Sequence, residues 1–336
     1  MPRYARRLQQ IGSSILVSLP SEWIKSNKLK KGSIVPVDVN RDNTLSIFPS
    51  ESEAEHIKEA MIQYSPASME TLVNQVYGAY LLGYDVIRVK APSSITYEDA
   101  ERFKHAMRKL VGLEIVEEDR KNITSQFLLD PNTLDAEKIL RRLNSIVAGM
   151  FREAIEAIKS RENAAKRSID ARDDEVDRQY FLLVRLIRSA MMDQKLAGKM
   201  NLSNIDILDY RIAANLLESA GDYIVDLASM QDFSRTNFVD MFVEAGELVE
   251  KMQEKSVAAF TSKMRSESLV VLNIYGRFND IMKSIKEMSA GARPKDLEST
   301  VAVLNLAYSM DRIAKCWVDV ADLVKPVHLV EPLRNA

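Results

Sequence analysis

An internal repeat does more than any other feature to limit what this 336-residue chain can fold into. Residues 310–322, MDRIAKCWVDVAD, share the pattern of residues 217–229, LESAGDYIVDLAS, with residue 322 answering to residue 229, a spacing of 93. An apolar residue, an acid, a small residue and a second acid eight positions on recur in both. Glu218 thus answers to Asp311 and Asp226 to Asp319, while Asp222 answers to Lys315. A pattern repeated at this distance predicts one structural unit built twice.

The unit is helical. From about residue 134 the chain reads as six long amphipathic helices, over 135–160, 168–195, 205–230, 238–264, 267–289 and 296–324. The breaks between them, at 201–204, 232–237 and 290–295, are rich in turn formers and include Gly291 and Pro294. With 46% apolar but only 7% aromatic residues, the composition is that of packed helices, not of a sandwich or barrel. Six such helices make two tandem three-helix bundles, over 134–235 and 236–325. Met191, Met192, Phe181 and Trp317 recur at helical spacing and read as core.

The repeat also carries charge. Glu218, Asp222 and Asp226 stand four apart and line one helix face, with Ala220 and Gly221 between them small enough to admit a close neighbour. In DARDDEVD, Asp170, Asp173, Asp174 and Asp177 again share one face. Carboxylates aligned across packed helices repel one another unless protons or cations neutralise them. With one cysteine, Cys316, and three histidines, His56, His105 and His328, any ion would be held mainly by oxygen, the choice of iron, manganese or magnesium over closed zinc. The alternative is that Asp170, Asp173 and Asp174 begin a helix, where the macrodipole favours acids, and Asp177 faces water. In the second half Asp280 is placed to join Asp311 and Asp319, but Lys315 offers an ammonium in place of a metal. Arg211 and Arg312 read as surface partners of the acids, and His105 as a surface or boundary residue of an amphipathic helix.

The first fifty residues differ, with eight Lys or Arg against three Asp or Glu and short β-branched runs, SSILVSLP, GSIVPVDVN and TLSIF, broken by Gly12, Pro20, Gly32 and Asp42-Asn43. SEWIKSNKLKKGS reads as one short helix capped by Ser21. A basic head on an acidic body points to a polyanionic partner, and a unit this small is stabilised by pairing with a second copy. Residues 51–133 alternate helix and strand, with Gly83 and Gly112 where helices should stop, and predict an α+β connector with helices on one face of a sheet.

RRLQQIGSSILVSLPSEWIKSNKLKKGS, within a match over residues 6–49, resembles the SpoVT/AbrB swapped-hairpin family. That resemblance implies a homodimeric β barrel with a basic face on DNA. Arg6 matches the basic residue of the first strand and Lys25 that of the short helix, and Arg7 and Lys28 complete the expected DNA-binding set. Ser13 stands where many members carry Arg after the glycine, which favours phosphate contacts over base contacts.

Glu218-Ser219-Ala220-Gly221-Asp222, within residues 134–325, resembles the PhoU family of phosphate-uptake regulators. The resemblance implies two pseudo-repeated bundles whose third helices carry acids, a metal site completed by the middle helix, and a role in damping phosphate uptake by contact with transporter or sensor proteins. The expected metal ligands are Asp170, Asp173, Asp174, Asp177, Glu218, Asp222 and Asp226.

No P-loop, triad or nucleotide fingerprint is present, and no histidine lies between residue 134 and His328 to build a di-iron carboxylate centre, so no enzyme is expected. The absence of an apolar run of about eighteen residues, and of an apolar core in MPRYARRLQQ, predicts a cytoplasmic chain without membrane insertion. The fold class expected is mainly α, with a small N-terminal swapped-hairpin barrel, an α+β connector and two bundles. The function expected is a DNA-binding regulator of phosphate uptake. The rivals are an adaptor that dimerises through the barrel and acts by protein contact alone, and a metal store.

Overall fold

A computed structural model describes residues 4–39, 44–49, 57–65, 68–160, 165–230, 238–290 and 297–324. The expected turn at Asp42-Asn43, the break at 232–237, Gly291, Pro294, His56 and His328 lie outside the described residues. Contacts divide the chain into two units, residues 1–57 and 58–336.

In the first unit, β1 (Gln9–Ile11) and β2 (Ser14–Leu16) form a hairpin whose two-residue loop opens on Gly12 at φ 60°. β3 (Val37–Val39) and β4 (Leu45–Ile47) form a second. They are separate two-stranded sheets. Between them α1 (Ser21–Ser26) begins after Pro20 rather than on a Ser21 cap, with no side-chain hydrogen bond at its start. It ends at Lys28, whose φ of 55° lets Lys28 N–H donate to Lys25 O and Leu29 N–H to Ile24 O. None of the described residues in this unit is buried, and Ile15 and Val39 are 69% and 78% exposed.

The second unit opens with a four-stranded sheet in the order β5 (Glu59–Gln63), β6 (Val86–Lys90), β8 (Asn122–Phe127), β7 (Leu113–Glu118), with only β5 and β6 parallel. Period-two alternation makes one face apolar, carrying Ile62, Ile87, Val89, Ile123 and Phe127, all buried. The other carries Arg88, paired to Glu59 and Thr124. α2 (Met69–Leu81) and α3 (Tyr97–Met107) join the apolar core, linked where the Tyr77 hydroxyl donates to Ala106 O. β5 was not expected. Its five residues bury only Ile62 fully, so an edge strand leaves little period-two signal.

The helices that follow form the two expected bundles. α4 (Ala136–Ser160), α5 (Lys166–Met192) and α7 (Asn204–Ser229) pack together, as do α8 (Val239–Ser262), α9 (Arg265–Ala290) and α10 (Leu297–Asp322). A short α6 (Gln194–Lys199) replaces the expected end of the second helix, because the Asp193 side chain accepts from Lys195 N–H and Leu196 N–H and starts a new turn. Between the bundles, α7 meets α10 and α4 meets α8. There the buried Trp317 donates from Nε1 to Asn144 Oδ1 at 2.8 Å, and Asn144 Nδ2 donates to Gln253 O at 3.3 Å. Trp317 is core as expected, and Phe181 is half-buried edge-on to Tyr77. Met191 and Met192 are not core: they end α5 at 73% and 77% exposure.

A buried cation joins sheet layer to bundle. Arg185 of α5 is only 3% exposed. Its Nη1 donates to Tyr80 O at 2.7 Å and Tyr84 O at 2.9 Å, Nη2 reaches Asp85 at 3.4 Å, and its guanidinium lies 3.8 Å from the Phe127 ring centre. It thereby ties one C-terminal carbonyl of α2, that of Tyr80, to the Tyr84 carbonyl in the loop that leads to β6. Arg185→Met should cost about 3 kcal/mol, since the Tyr84 carbonyl loses its side-chain donor and the Tyr80 carbonyl and Asp85 each lose one of two. Urea unfolding measures it, and a loss no larger than at a surface arginine would mean the layer is held by other contacts.

Candidate functional site

α5 and α7 bring two of the acidic runs together. α7 starts from a Ser203 capping box with Asp206, which fixes its register, and Gly221 allows the close approach. A Cβ at Gly221 would stand 3.3 Å from Val176 and 3.6 Å from Asp173, so the neighbour for which the small residues make room is α5 itself. Across this contact Asp173 and Asp177 face Glu218 and Asp222.

The charges show the strain of that meeting. Burial, then Asp222 and Asp177, push the Glu218 carboxyl up to about 7. Burial, then Asp177 and Asp222, push Asp173 up to about 6. Asp222 is raised by burial and by Asp177 and Asp226. Of the expected ligands, Asp170 is exposed, and Asp226 is exposed towards the Arg312 side of the helix. The helix begins at Lys166, so Asp170, Asp173 and Asp174 lie beyond the first turn that favours acids most strongly, and the macrodipole does not account for them.

A cation is already in place. Lys109, in the connection between α3 and β7, sets its Nζ 2.9 Å from Asp174 Oδ1 and 2.8 Å from Asp177 Oδ2. Burial works against its charge, but hydrogen bonds to Asp177 and Asp174 outweigh it and raise its pKa. Among the described residues, no three His, Cys, Asp or Glu side chains stand close enough to hold a metal ion. As folded, the donor set does not fit the iron, manganese or magnesium expected there.

The second bundle neutralises its acid differently. Lys315 Nζ lies 2.8 Å from Asp311 Oδ2, and the Tyr275 hydroxyl donates to Asp311 Oδ1 at 3.0 Å. Asp280 is exposed on α9, and the charges acting on Asp319 are Asp322 and Lys315. Arg312 and Arg211 are more than partners for acids: Arg312 stacks 3.8 Å from the Tyr223 ring centre and Arg211 5.4 Å from that of Tyr180. His105 is exposed.

Sequence reading missed Lys109, Arg178 and Arg185. A lysine just past the end of a helix has the same local signature as one complementing the dipole, so nothing near Lys109 announces its partners. Arg6, Arg7, Lys25 and Lys28 are exposed on the first unit, with Arg6 5.5 Å from the Tyr4 ring centre.

Fold and site together define a duplicated three-helix-bundle protein with a one-sided sheet layer on its first bundle. Residues 140–230, spanning α4 to α7, match the family model described as PhoU domain. The phosphate transport system regulatory protein PhoU from Streptococcus pneumoniae is similar in fold at 14% identity and a TM-score of 0.48, over 56% of this chain and 91% of that one. PhoU from Pseudomonas aeruginosa is similar at 15% identity and 0.45, over 56% and 93%. No curated protein matches the chain. The PhoU resemblance is thus supported over the first bundle, while the SpoVT/AbrB resemblance rests on residues 6–49 alone. No described helix is long and apolar enough to cross a membrane.

A carboxyl whose folded pKa lies above its unfolded one binds an extra proton only when folded. Its contribution to stability is present at low pH and lost as pH rises through the folded value. For Glu218 that window runs from 4.5 to about 7, and for Asp173 from 3.8 to about 6. The melting temperature should therefore fall between about pH 5 and pH 8, and Glu218→Gln should flatten the fall and melt higher at the upper end. Parallel curves for the two proteins would mean that Glu218 meets no uncompensated charge.

Proposed function

We propose that this chain is a regulator of phosphate transport that acts through protein contact on its helical bundles. The observation that carries this reading is the PhoU-domain match over residues 140–230. The exposed acids Asp222 and Asp226 on α7 offer the partner a charged face. The partners implied by the resemblance are phosphate transporter or sensor proteins.

The finer part of the proposal is that the first unit pairs with a second copy, closes its hairpins into one barrel and lies on DNA. Its apolar side chains need cover that the described residues of one chain do not give them, as the exposure of Ile15 and Val39 illustrates. Arg6, Arg7, Lys25 and Lys28 would meet phosphates. Lys28 supports this most directly, because a lysine occupies a left-handed helix cap where glycine costs less. The second reading, an adaptor that dimerises without touching DNA, is favoured by Ser13, exposed in the β1–β2 loop where an arginine would reach a groove.

Cells lacking the chain should take up phosphate without restraint and regain control with the wild type; unchanged uptake in both would remove the transport reading. For DNA, the full chain should bind duplex with steep salt dependence, and Arg6→Ala with Lys25→Ala and Lys28→Ala should flatten the logarithmic slope by roughly one per cation removed from each chain. If that variant keeps both slope and affinity, the adaptor reading holds.

A further inference from the structure

The two edges of the four-stranded sheet are built differently. At one, β7 breaks step at a bulge between Ile115 and Glu117 and carries Glu114, Glu117 and Glu118. Bulges and charges guard an edge against a stray strand. At the other, β5 runs Glu59-Ala60-Met61-Ile62-Gln63 in unbroken register, without proline or lysine, and its one acid, Glu59, is neutralised by Arg88 of β6. Among the described residues, β6 is the only strand beside it.

The ladder with β6 decides which backbone groups of β5 are left over. Val86 N–H donates to Lys58 O and Tyr64 N–H to Lys90 O, so in this parallel pair the even-numbered residues of β5 direct their N–H and C=O to β6. The N–H and C=O of Glu59, Met61 and Gln63 therefore point away from the sheet. Their side chains share the face of Arg88, and Met61 is 63% exposed there.

We propose that β5 pairs antiparallel with β5 of a second copy of the chain, across a two-fold axis at Met61, and joins two sheet layers into one continuous sheet. In that register Met61 faces Met61, and Glu59 of each copy faces Gln63 of the other. Each of these pairs exchanges two hydrogen bonds through the groups that β6 leaves free. A second copy brings a strand of equal length with no like charges opposed. The same operation on β7 about Val116 sets Glu114 against Glu118, so charge opposes self-pairing at that edge. Because Arg185 holds the end of α2 and Asp85 to α5, the pairing also links the first bundles of two copies. It is separate from the pairing of first units and does not rest on it.

The test is oxidative cross-linking of the full chain, read on a non-reducing gel beside the mass in solution by sedimentation. Met61→Cys should yield a covalent dimer. Glu59→Cys alone should not, because the two copies of residue 59 stand roughly 14 Å apart in this register, beyond the reach of a disulfide. Glu59→Cys combined with Gln63→Cys should cross-link again, and Val116→Cys on the guarded edge should not. A dimer that links at none of these positions, or equally at 59, 61 and 116, would overturn the proposal and leave the pairing of first units standing, whereas a monomer at every concentration would remove both. Amide exchange in the wild type decides without substitution: the Met61 and Gln63 amides should be protected as that of Ile62 is, and lose protection on dilution to monomer. Protection unchanged by dilution would mean that another part of the same chain covers the edge, and the proposal falls.

Discussion

A buried guanidinium organises the second unit. Desolvating an arginine is expensive unless every donor finds an acceptor, and Arg185 finds Tyr80 O, Tyr84 O and Asp85 with an aromatic ring against its face. These partners belong to the end of α2 and the start of β6, so the position of the sheet layer on α5 is set by a fork of fixed geometry. Everything else on that side of α5 follows from it. Tyr77 meets Phe181 edge-on, Arg178 reaches the Arg108 carbonyl, and Lys109 arrives at Asp174 and Asp177. α5 therefore works in two directions, with Val176 and Leu183 buried in the core and its polar side gripping the layer.

The parts of the fold legible in the sequence are those decided by short-range period. Six helices of 24 to 27 residues leave many turns of apolar pattern, and their ends fall within a few residues of expectation. What escaped was decided by one or two side chains. Asp193 accepts two hydrogen bonds and makes α6 out of what reads as the tail of α5, and the brief alternation of β5 is too short to register. Met191 and Met192 fit the helical period but stand exposed at the last two positions of α5.

The acidic face was legible as a face and not as a site. Spacing of four and three says which carboxylates share a side of a helix, and Gly221 says that something comes close. Neither says what cation answers them, because the answer comes from a residue 68 positions away from Asp177. The basic first unit shows the same division: turn residues such as Gly12 specify its hairpins locally, while nothing local specifies what covers their apolar sides.

The two copies of the repeat also differ in when they can settle. Lys315 meets Asp311 as soon as one turn of α10 forms, an event of the helix alone. Lys109 meets Asp177 only after a chain separation of 68 residues has been closed and the sheet has formed on the far side of α5. Two bundles that share a repeated pattern are thus neutralised at opposite ends of the folding sequence, and the first keeps an unbalanced acidic surface until its neighbour is complete.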